Sequence, residues 1–260
     1  MPQVVASPPR CARGLGIAAA VIACSALVSC SSGPPAQELT VFAASSLRTP
    51  FTELAATFEE QHPGVVVRVN AAGSADLLAQ LNEGAPADVF APADLTTMRR
   101  AAAADLVQRP VRPFASNTMT IVVPPANPNG ITEFADLSDP GLTVVVCAPA
   151  VPCGAATERV EQRTGVELAP ASEETAVADV VAKVAGGEAD AGVAYVTDVA
   201  ESDSVVGVAI PARDNAVNRY SIAVTTADGT TDSALAEEFV SLVVGAQGRR
   251  VLADVGFGPP

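Results

Sequence analysis

The stretch TVFAASSL at residues 40–47 is an apolar, β-prone run that ends in small hydroxyl residues. After it, apolar side chains recur at helical spacing over residues 51–58, and a proline-glycine pair at 63–64 ends the predicted helix. A second β-prone run follows at 65–69. Strand, helix and strand in this order form a βαβ unit, which predicts an α/β fold.

The same alternation continues to the C-terminus. Strands are predicted at 39–44, 65–69, 88–91, 119–123, 142–146, 191–196, 205–210 and 220–225, and helices at 51–58, 75–83, 95–104, 155–163, 175–185, 233–244 and 247–253. No internal repeat of fixed period interrupts this order. The pattern predicts an α/β protein with mainly parallel strands, flanked by helices and divided into more than one lobe.

Composition supports a folded, aliphatic protein. The chain has 260 residues, of which 49% are hydrophobic, and its mean hydropathy is +0.32. This excludes disorder of the whole chain. Aromatic residues make up only 4% and tryptophan is absent, so we expect a core built from alanine, valine and leucine.

The N-terminus has the features of an export signal. Arg10 and Arg13 precede an apolar segment at 15–28, which is too short to span a bilayer comfortably. The segment ends in LVSC at 27–30, which resembles a bacterial lipobox.

The lipobox interpretation predicts a signal peptide at 1–29, a lipidated Cys30 and a flexible tether over 30–37. The protein would then lie outside the cytoplasm, attached to the membrane by its lipid. The alternative is a plain secretory signal in which Cys30 has no role.

Charge excludes one class of partner. Removal of the predicted signal leaves 13 basic and 29 acidic residues, a net charge of −16. Nucleic acid is therefore not an expected partner. An acidic surface also does not attract small anions from a distance, so an anion site would depend on local N–H and hydroxyl groups.

The remaining cysteines predict a disulfide. With the signal removed and Cys30 lipidated, the mature domain retains Cys147 and Cys153, which would pair in an oxidising compartment. We expect this bond to shape the turn at 147–154. A zinc site is the alternative, but the only histidine, His62, lies at a predicted helix end, and two sulfurs alone do not hold zinc.

Three strand-to-helix junctions carry small donor residues, at 43–47, 71–75 and 152–155. In open α/β sheets, ligands bind at the carboxyl ends of strands, where helix N-termini present unpaired N–H groups. Each serine alone could be an ordinary helix N-cap. Three such junctions with few charged side chains favour a shared oxyanion site.

The sequence does not favour an enzyme. It contains no Gly-x-Ser-x-Gly, His-Glu-x-x-His or Gly-x-x-x-x-Gly-Lys-Ser/Thr motif. A serine hydrolase would lack a base unless Lys183 served, and that residue lies late in a helix on a face predicted to be solvated.

Five motifs together resemble the molybdate-binding proteins of bacterial ABC uptake systems, from about residue 38 to the C-terminus. They are TVFAASSL at 40–47, GAPADVF at 84–90 with Ala93-Asp94, Asn117-Thr118 before an apolar strand, Gly192-Val193-Ala194-Tyr195 with Asp198, and Gly256-Phe257. The resemblance implies a two-lobed periplasmic-binding-protein-like fold. Lobe 1 would hold 38–116 with 219–260 and lobe 2 would hold 117–218, with hinges near Asn117 and Asn218.

The resemblance also implies the ligand contacts. Ser46 and Ser74 would each donate a hydroxyl and an N–H to the oxyanion, Cys153 and Val177 would donate backbone N–H groups, and Tyr195 would donate its phenol. Cys153 replaces a residue that is usually small in the family, and the 172–176 segment before Val177 is longer than usual. A backbone contact tolerates the first of these departures.

The implied function is capture of molybdate, and of tungstate, for delivery to an ABC permease driven by a cytoplasmic ATPase. The protein would be a monomer without a cofactor and would catalyse nothing. A receptor for sulfate is the main alternative, since a site made of donors suits any fully deprotonated oxyanion better than a protonated phosphate. A ferric-iron binding protein using Tyr195 and Tyr220, or a surface lipoprotein without a ligand, are the others.

Overall fold

The computed structural model describes residues 37–200, 202–226 and 233–260. The predicted signal peptide at 1–29, the lipidation site Cys30 and all but the last residue of the tether lie outside the described residues. Within the described ranges, no helix is both long enough and apolar enough to cross a membrane.

Strands and helices alternate through most of the chain. The strands are β1 Gln37–Ala44, β2 Val65–Ala72, β3 Val89–Ala91, β4 Arg112–Val123, β5 Val144–Cys147, β6 Ser172–Glu174, β7 Ala191–Tyr195, β8 Val206–Ala209 and β9 Val217–Val224. The helices are α1 Arg48–Gln61, α2 Ser74–Asn82, α3 Leu95–Ala103, α4 Pro152–Thr164, α5 Val177–Ala185, α6 Val196–Ala200, α7 Ser233–Val244 and α8 Ala246–Asp254. The predicted α/β class is confirmed.

The strands form one continuous sheet in the order β2-β1-β3-β9-β4-β7-β5-β6, and β8 pairs with β4. The two flanks of the sheet are parallel. On one flank β1 pairs in parallel with β2 and β3, and on the other β5 pairs in parallel with β6 and β7. Each antiparallel pair includes β4 or β9. The mainly parallel arrangement that the sequence predicts therefore holds at the two flanks of the sheet. The centre of the sheet is antiparallel, because β4 and β9 pair there in opposite directions.

Apolar runs form strands that are covered by helices on both faces. In β1, Leu39, Val41 and Ala43 pack in one hydrophobic cluster, while Phe42 packs in another with Leu77 of α2. Successive side chains of a strand point to opposite faces, so a strand buried on both faces needs apolar residues at every position. This explains why residues 41–44 are apolar at every position.

The buried apolar residues form two large cores, and the chain passes from one core to the other within or next to β4 and β9. One core draws its buried residues from 39–115 and 220–257, and the other draws them from 119–216. The change from one core to the other occurs around Asn117 and Asn218, which are direct partners in the antiparallel β4–β9 register. A hinge role for these two residues stays a prediction.

Some element bounds differ from the sequence prediction. Strand β4 begins at Arg112, seven residues before the predicted start, because Pro113, a register irregularity and the polar residues at 116–118 obscure the apolar pattern. Helix α4 begins at Pro152 because a proline with its fixed φ suits the first helical position. The short elements β6 and α6 were not predicted, since three to five residues carry too little periodicity.

His62 ties the end of α1 to α7. Its Nδ1 lies 2.8 Å from the carbonyl oxygen of Phe58, its Nε2 lies 2.8 Å from Oε2 of Glu238, and its ring stacks on the Phe58 ring with centroids 3.9 Å apart. The hydrogen bond to the Phe58 carbonyl, helped by the Glu238 carboxylate, raises the pKa of His62 above its usual value of 6.5. The folded state therefore binds this proton more tightly than the unfolded chain.

We expect the contribution of His62 to stability to be complete below about pH 6.5 and to be lost as the pH rises through the raised pKa. The His62→Gln variant should melt about 1–2 °C below the wild type at pH 5.5, with a smaller gap at pH 8. Thermal melts at both pH values measure this. The control Glu238→Gln removes the carboxylate that assists the Phe58 carbonyl, so it should lose only part of the same dependence. An equal difference in Tm between His62→Gln and the wild type at the two pH values would contradict the raised pKa of His62.

Candidate oxyanion site

The five residues predicted to bind the ligand line one small cavity. Ser46, Ser74, Cys153, Val177 and Tyr195 all contribute to its wall. The empty space between the residues of this wall is about 230 Å³, which includes space that is open to solvent. Among the described residues that form this wall, none carries a charged side chain. The structure thus brings the predicted residues together, while their contacts to an anion stay a prediction.

The two serines are not helix N-caps. Ser46 lies in a short 3-10 turn, Ser45–Leu47, whose N-cap is Ala44, and Ser74 is the first residue of α2, whose N-cap is Gly73. Neither N-cap makes a side-chain capping bond. The interpretation of these serines as ordinary caps is therefore wrong.

Both serine hydroxyls are buried and already held by the protein. The Ser74 Oγ accepts a hydrogen bond of 3.1 Å from the backbone N–H of Ala93. The Ser46 Oγ lies 3.0 Å from the hydroxyl oxygen of Tyr220. Because the Ser74 oxygen serves as acceptor, its hydroxyl proton can be directed into the cavity.

Two helix N-termini face the cavity from the other core. Cys153 is the second residue of α4 and Val177 is the first residue of α5. The first N–H groups of a helix have no acceptor within the helix, and the N-caps Val151 and Ala176 supply no side-chain acceptor. Because Pro152 has no N–H, the Cys153 N–H is the first donor of α4. These N–H groups and the helix dipoles favour an anion.

Cys147 and Cys153 are joined by a disulfide, with their Cα atoms 5.6 Å apart. The bond links the end of β5 to the first turn of α4, which holds the Cys153 N–H at the cavity. The turn is tightly packed, since a Cβ on Gly154 would lie 1.9 Å from the carbonyl oxygen of Ala148. The zinc alternative lacks its ligands, because both sulfurs are used in the disulfide. Among the described residues, no group of three or more His, Cys, Asp or Glu could hold a metal.

Tyr195 ends β7 and is 1% exposed. Its hydroxyl oxygen accepts a hydrogen bond of 2.6 Å from Nδ2 of Asn218. The ring of Tyr220 lies against it, with centroids 6.2 Å apart. Burial is the largest cause of a raised pKa for both tyrosines. Both hydroxyls therefore keep their protons at neutral pH and remain hydrogen-bond donors.

Sequence reasoning missed the residues that support the site from behind. Asn218 was assigned only as a hinge, and Tyr220 only as a ligand in the ferric-iron alternative. Asn117 donates through Nδ2 to the hydroxyl oxygen of Thr197 at 2.7 Å and also interacts with the Tyr220 side chain. The available signal was the pair of asparagines at the predicted lobe boundaries, since a buried amide needs polar partners.

The family model for bacterial extracellular solute-binding proteins matches residues 39–258. The molybdate-binding protein ModA of Mycobacterium tuberculosis strain H37Rv is 46% identical over 245 residues, covering 90% of this chain and 93% of the relative. The Azotobacter vinelandii periplasmic molybdate-binding protein superimposes with a TM-score of 0.71 at 22% identity, over 85% of this chain and 99% of that chain. The sulfate-binding protein SubI of Mycobacterium tuberculosis H37Rv superimposes with a TM-score of 0.71 at 21% identity, over 86% of this chain and 87% of that chain.

These two solved structures show the shared fold alone, and they confirm the predicted two-lobed, periplasmic-binding-protein-like fold. The match to ModA extends over 245 residues at 46% identity, and this similarity shows the family. The chain belongs to the bacterial extracellular solute-binding proteins, in the family of the ModA molybdate-binding proteins.

Proposed function

We propose that this protein captures molybdate outside the cytoplasm and delivers it to the permease of an ABC transporter. The observation that carries the proposal is the cavity itself, where five predicted donors meet in a wall without a charged side chain. The ModA relative at 46% identity is named for molybdate binding, which supports this anion over others.

The chemistry of the wall suits a tetrahedral dianion. An anion removed from water needs nearly all its oxygens hydrogen-bonded, because an uncompensated buried charge costs many kcal/mol. Two serine hydroxyls, one phenol and two helix N-termini supply only donors. A protonated phosphate would leave its own proton without an acceptor. Molybdate, tungstate and sulfate present acceptors alone, so the site favours them.

The finer parts of the proposal extend beyond the family. Tungstate has the charge and shape of molybdate, so it belongs to the same ligand class. We propose that a cytoplasmic ATPase drives uptake, that the protein acts as a monomer without a cofactor, and that a lipid on Cys30 anchors it to the membrane. The support for the anchor is the LVSC motif at 27–30.

Proteins of this family bind solutes for transport and are not enzymes. The one base considered for catalysis, Lys183, is engaged elsewhere. Its Nζ forms an ion pair with Glu174 and donates to the Ser172 hydroxyl at 3.1 Å. This pairing lowers the pKa of Glu174, so the carboxylate stays ionised and holds Lys183.

Closure of the two lobes over the anion is part of the proposal, with lobe 1 at 38–116 and 219–260 and lobe 2 at 117–218. The backbones of the two sides approach closely at Gly73, where an added Cβ would lie 2.6 Å from the carbonyl oxygen of Thr175. Only glycine fits this approach. Asp76, exposed on the first turn of α2, has its carboxylate beside Gly73 and is not part of the cavity wall.

Sulfate is the second candidate ligand, and the observation that favours it is the same wall without a charged side chain. Sulfate offers the same charge and acceptors, so only the size of the closed cavity separates it from molybdate. Ferric iron has less support. It requires ionised ligands, and burial raises the pKa of both Tyr195 and Tyr220.

A thermal-shift series tests the function. We expect molybdate and tungstate to raise the Tm of the mature domain, because a ligand that binds only the folded state stabilises it by RT ln(1 + [L]/Kd). Sulfate, phosphate and ferric citrate at equal concentration should have little effect. An equal shift with sulfate would leave the oxyanion site in place but overturn the assigned specificity for molybdate and tungstate, and no shift with any of the five would refute the oxyanion site.

Removal of either serine hydroxyl should weaken binding. We expect Ser46→Ala and Ser74→Ala each to cost about 1–3 kcal/mol of binding free energy, because the buried anion loses a donor. Calorimetric titration with molybdate measures this. Ser138→Ala, an exposed serine outside the cavity wall, is the matched control and should bind as the wild type does. Unchanged affinity in both cavity variants would remove these serines from the site.

The variant Gly73→Ala should hold the lobes apart, since its methyl group would overlap the Thr175 carbonyl. We expect molybdate affinity to fall by about tenfold or more, the effect of losing a few hydrogen bonds to the anion. Small-angle scattering should show less compaction on adding molybdate than the wild type shows. Gly141→Ala is the control, because its methyl group would meet only the Asp139 side chain. Wild-type affinity and compaction in Gly73→Ala would contradict closure at this contact.

A further inference from the structure

A chain of polar side chains runs behind the cavity wall from α4 to Tyr195. The Arg159 guanidinium donates to Oδ1 of Asn218. The Asn218 Nδ2 donates to the hydroxyl oxygen of Tyr195 at 2.6 Å and to the carbonyl oxygen of Pro152 at 3.2 Å. Asn218 is only 2% exposed, so water does not compete for these contacts.

The direction of this chain is set by Arg159 together with the Pro152 carbonyl, which accepts from the Asn218 amide. A guanidinium has donors and no acceptor, so the amide oxygen of Asn218 must face it. The amide NH₂ group must then face Tyr195, whose oxygen can only accept. The Tyr195 hydroxyl proton is thereby directed away from Asn218. A neutral side chain in place of Arg159 would leave only the 3.2 Å hydrogen bond to the Pro152 carbonyl to oppose rotation of the amide and reversal of this order.

The Tyr195 proton has two acceptors ahead of it. One is an anion in the cavity, and the other is the hydroxyl of Tyr220, whose ring lies against that of Tyr195. If Tyr220 accepts, its own proton passes to Ser46, 3.0 Å away, and the Ser46 proton faces the cavity. In either arrangement an O–H group ends up directed at the ligand.

We propose that Arg159 is a positioning residue that fixes the cavity hydroxyls as donors and thereby selects fully deprotonated oxyanions. This inference rests on the proposed function. Arg159 lies outside the cavity wall and reaches the ligand only through Asn218 and Tyr195. Its positive charge also lies behind the site in a protein with a large negative net charge.

A purely structural role is the competing explanation, and the chain offers a matched control for it. Arg163, one turn further along α4, donates to the backbone carbonyl of Asn215 near the start of β9. Both arginines therefore attach α4 to the same part of the chain. Only Arg159 connects to the hydroxyls of the cavity.

The test compares Arg159→Met, Arg159→Lys and Arg163→Met with the wild type. Calorimetric titrations with molybdate and competition titrations with inorganic phosphate are run at pH 8, where phosphate keeps one proton. We expect Arg159→Met to lose about tenfold in molybdate affinity and to show a reduced ratio of molybdate to phosphate affinity. Arg159→Lys, which restores a donor-only cation, should recover the ratio, and Arg163→Met should keep it.

The outcomes separate this inference from the proposed function. If the wild type binds no oxyanion, the proposed function fails, and the inference fails with it. If the wild type binds molybdate but Arg159→Met keeps the wild-type ratio of molybdate to phosphate affinity, the inference alone is overturned. This holds even if both affinities fall by the same factor. If Arg159→Met does not fold, Asn218→Asp decides. That carboxylate would draw the Tyr195 proton away from the cavity, so wild-type selectivity in this variant would overturn the inference.

Discussion

The proposed ligand is a buried dianion, and the need to hydrogen-bond it on all sides is the constraint on which the arrangement of the cavity depends. A protein with 29 acidic and 15 basic residues cannot attract an oxyanion by its overall charge. Its cavity wall therefore relies on neutral donors: serine hydroxyls, a phenol and the N–H groups at helix N-termini. Each of these donors needs a second contact on the protein side, as the Ala93 N–H provides for Ser74. The supporting contacts decide where the protons point.

The crossing strands β4 and β9 combine two tasks. They connect the two hydrophobic cores, and they carry Asn117 and Asn218 as direct partners at the crossing. Asn117 interacts with the Tyr220 side chain, and Asn218 donates to the Tyr195 hydroxyl. If the lobes close as proposed, a rotation about this crossing would alter the contacts of both tyrosine hydroxyls. The proposed closure and the proposed donor direction would then be connected through the same two buried amides.

Much of the site could be predicted from the sequence because each donor is close to a recognisable local signal. Ser46 and Ser74 follow apolar strands, and Cys153 follows Pro152 at a helix start. These signals act over a few residues. Arg159 escaped prediction because nothing in its helical surroundings differs from a solvated position, and its partner Asn218 lies 59 residues away. The start of β4 was missed because polar residues and a proline interrupt the apolar pattern.

The sequence by itself determined the α/β class and the order of its main elements, because hydrophobic period and helix-start chemistry are local properties. The five predicted ligand residues came from the resemblance to the molybdate-binding proteins. Only the tertiary structure decided that β4 and β9 lie antiparallel at the centre of the sheet, that Gly73 meets Thr175 across the cavity, and that Arg159 stands behind Tyr195. These contacts join residues far apart in the chain. Their geometry depends on how the two cores pack, which no local pattern contains.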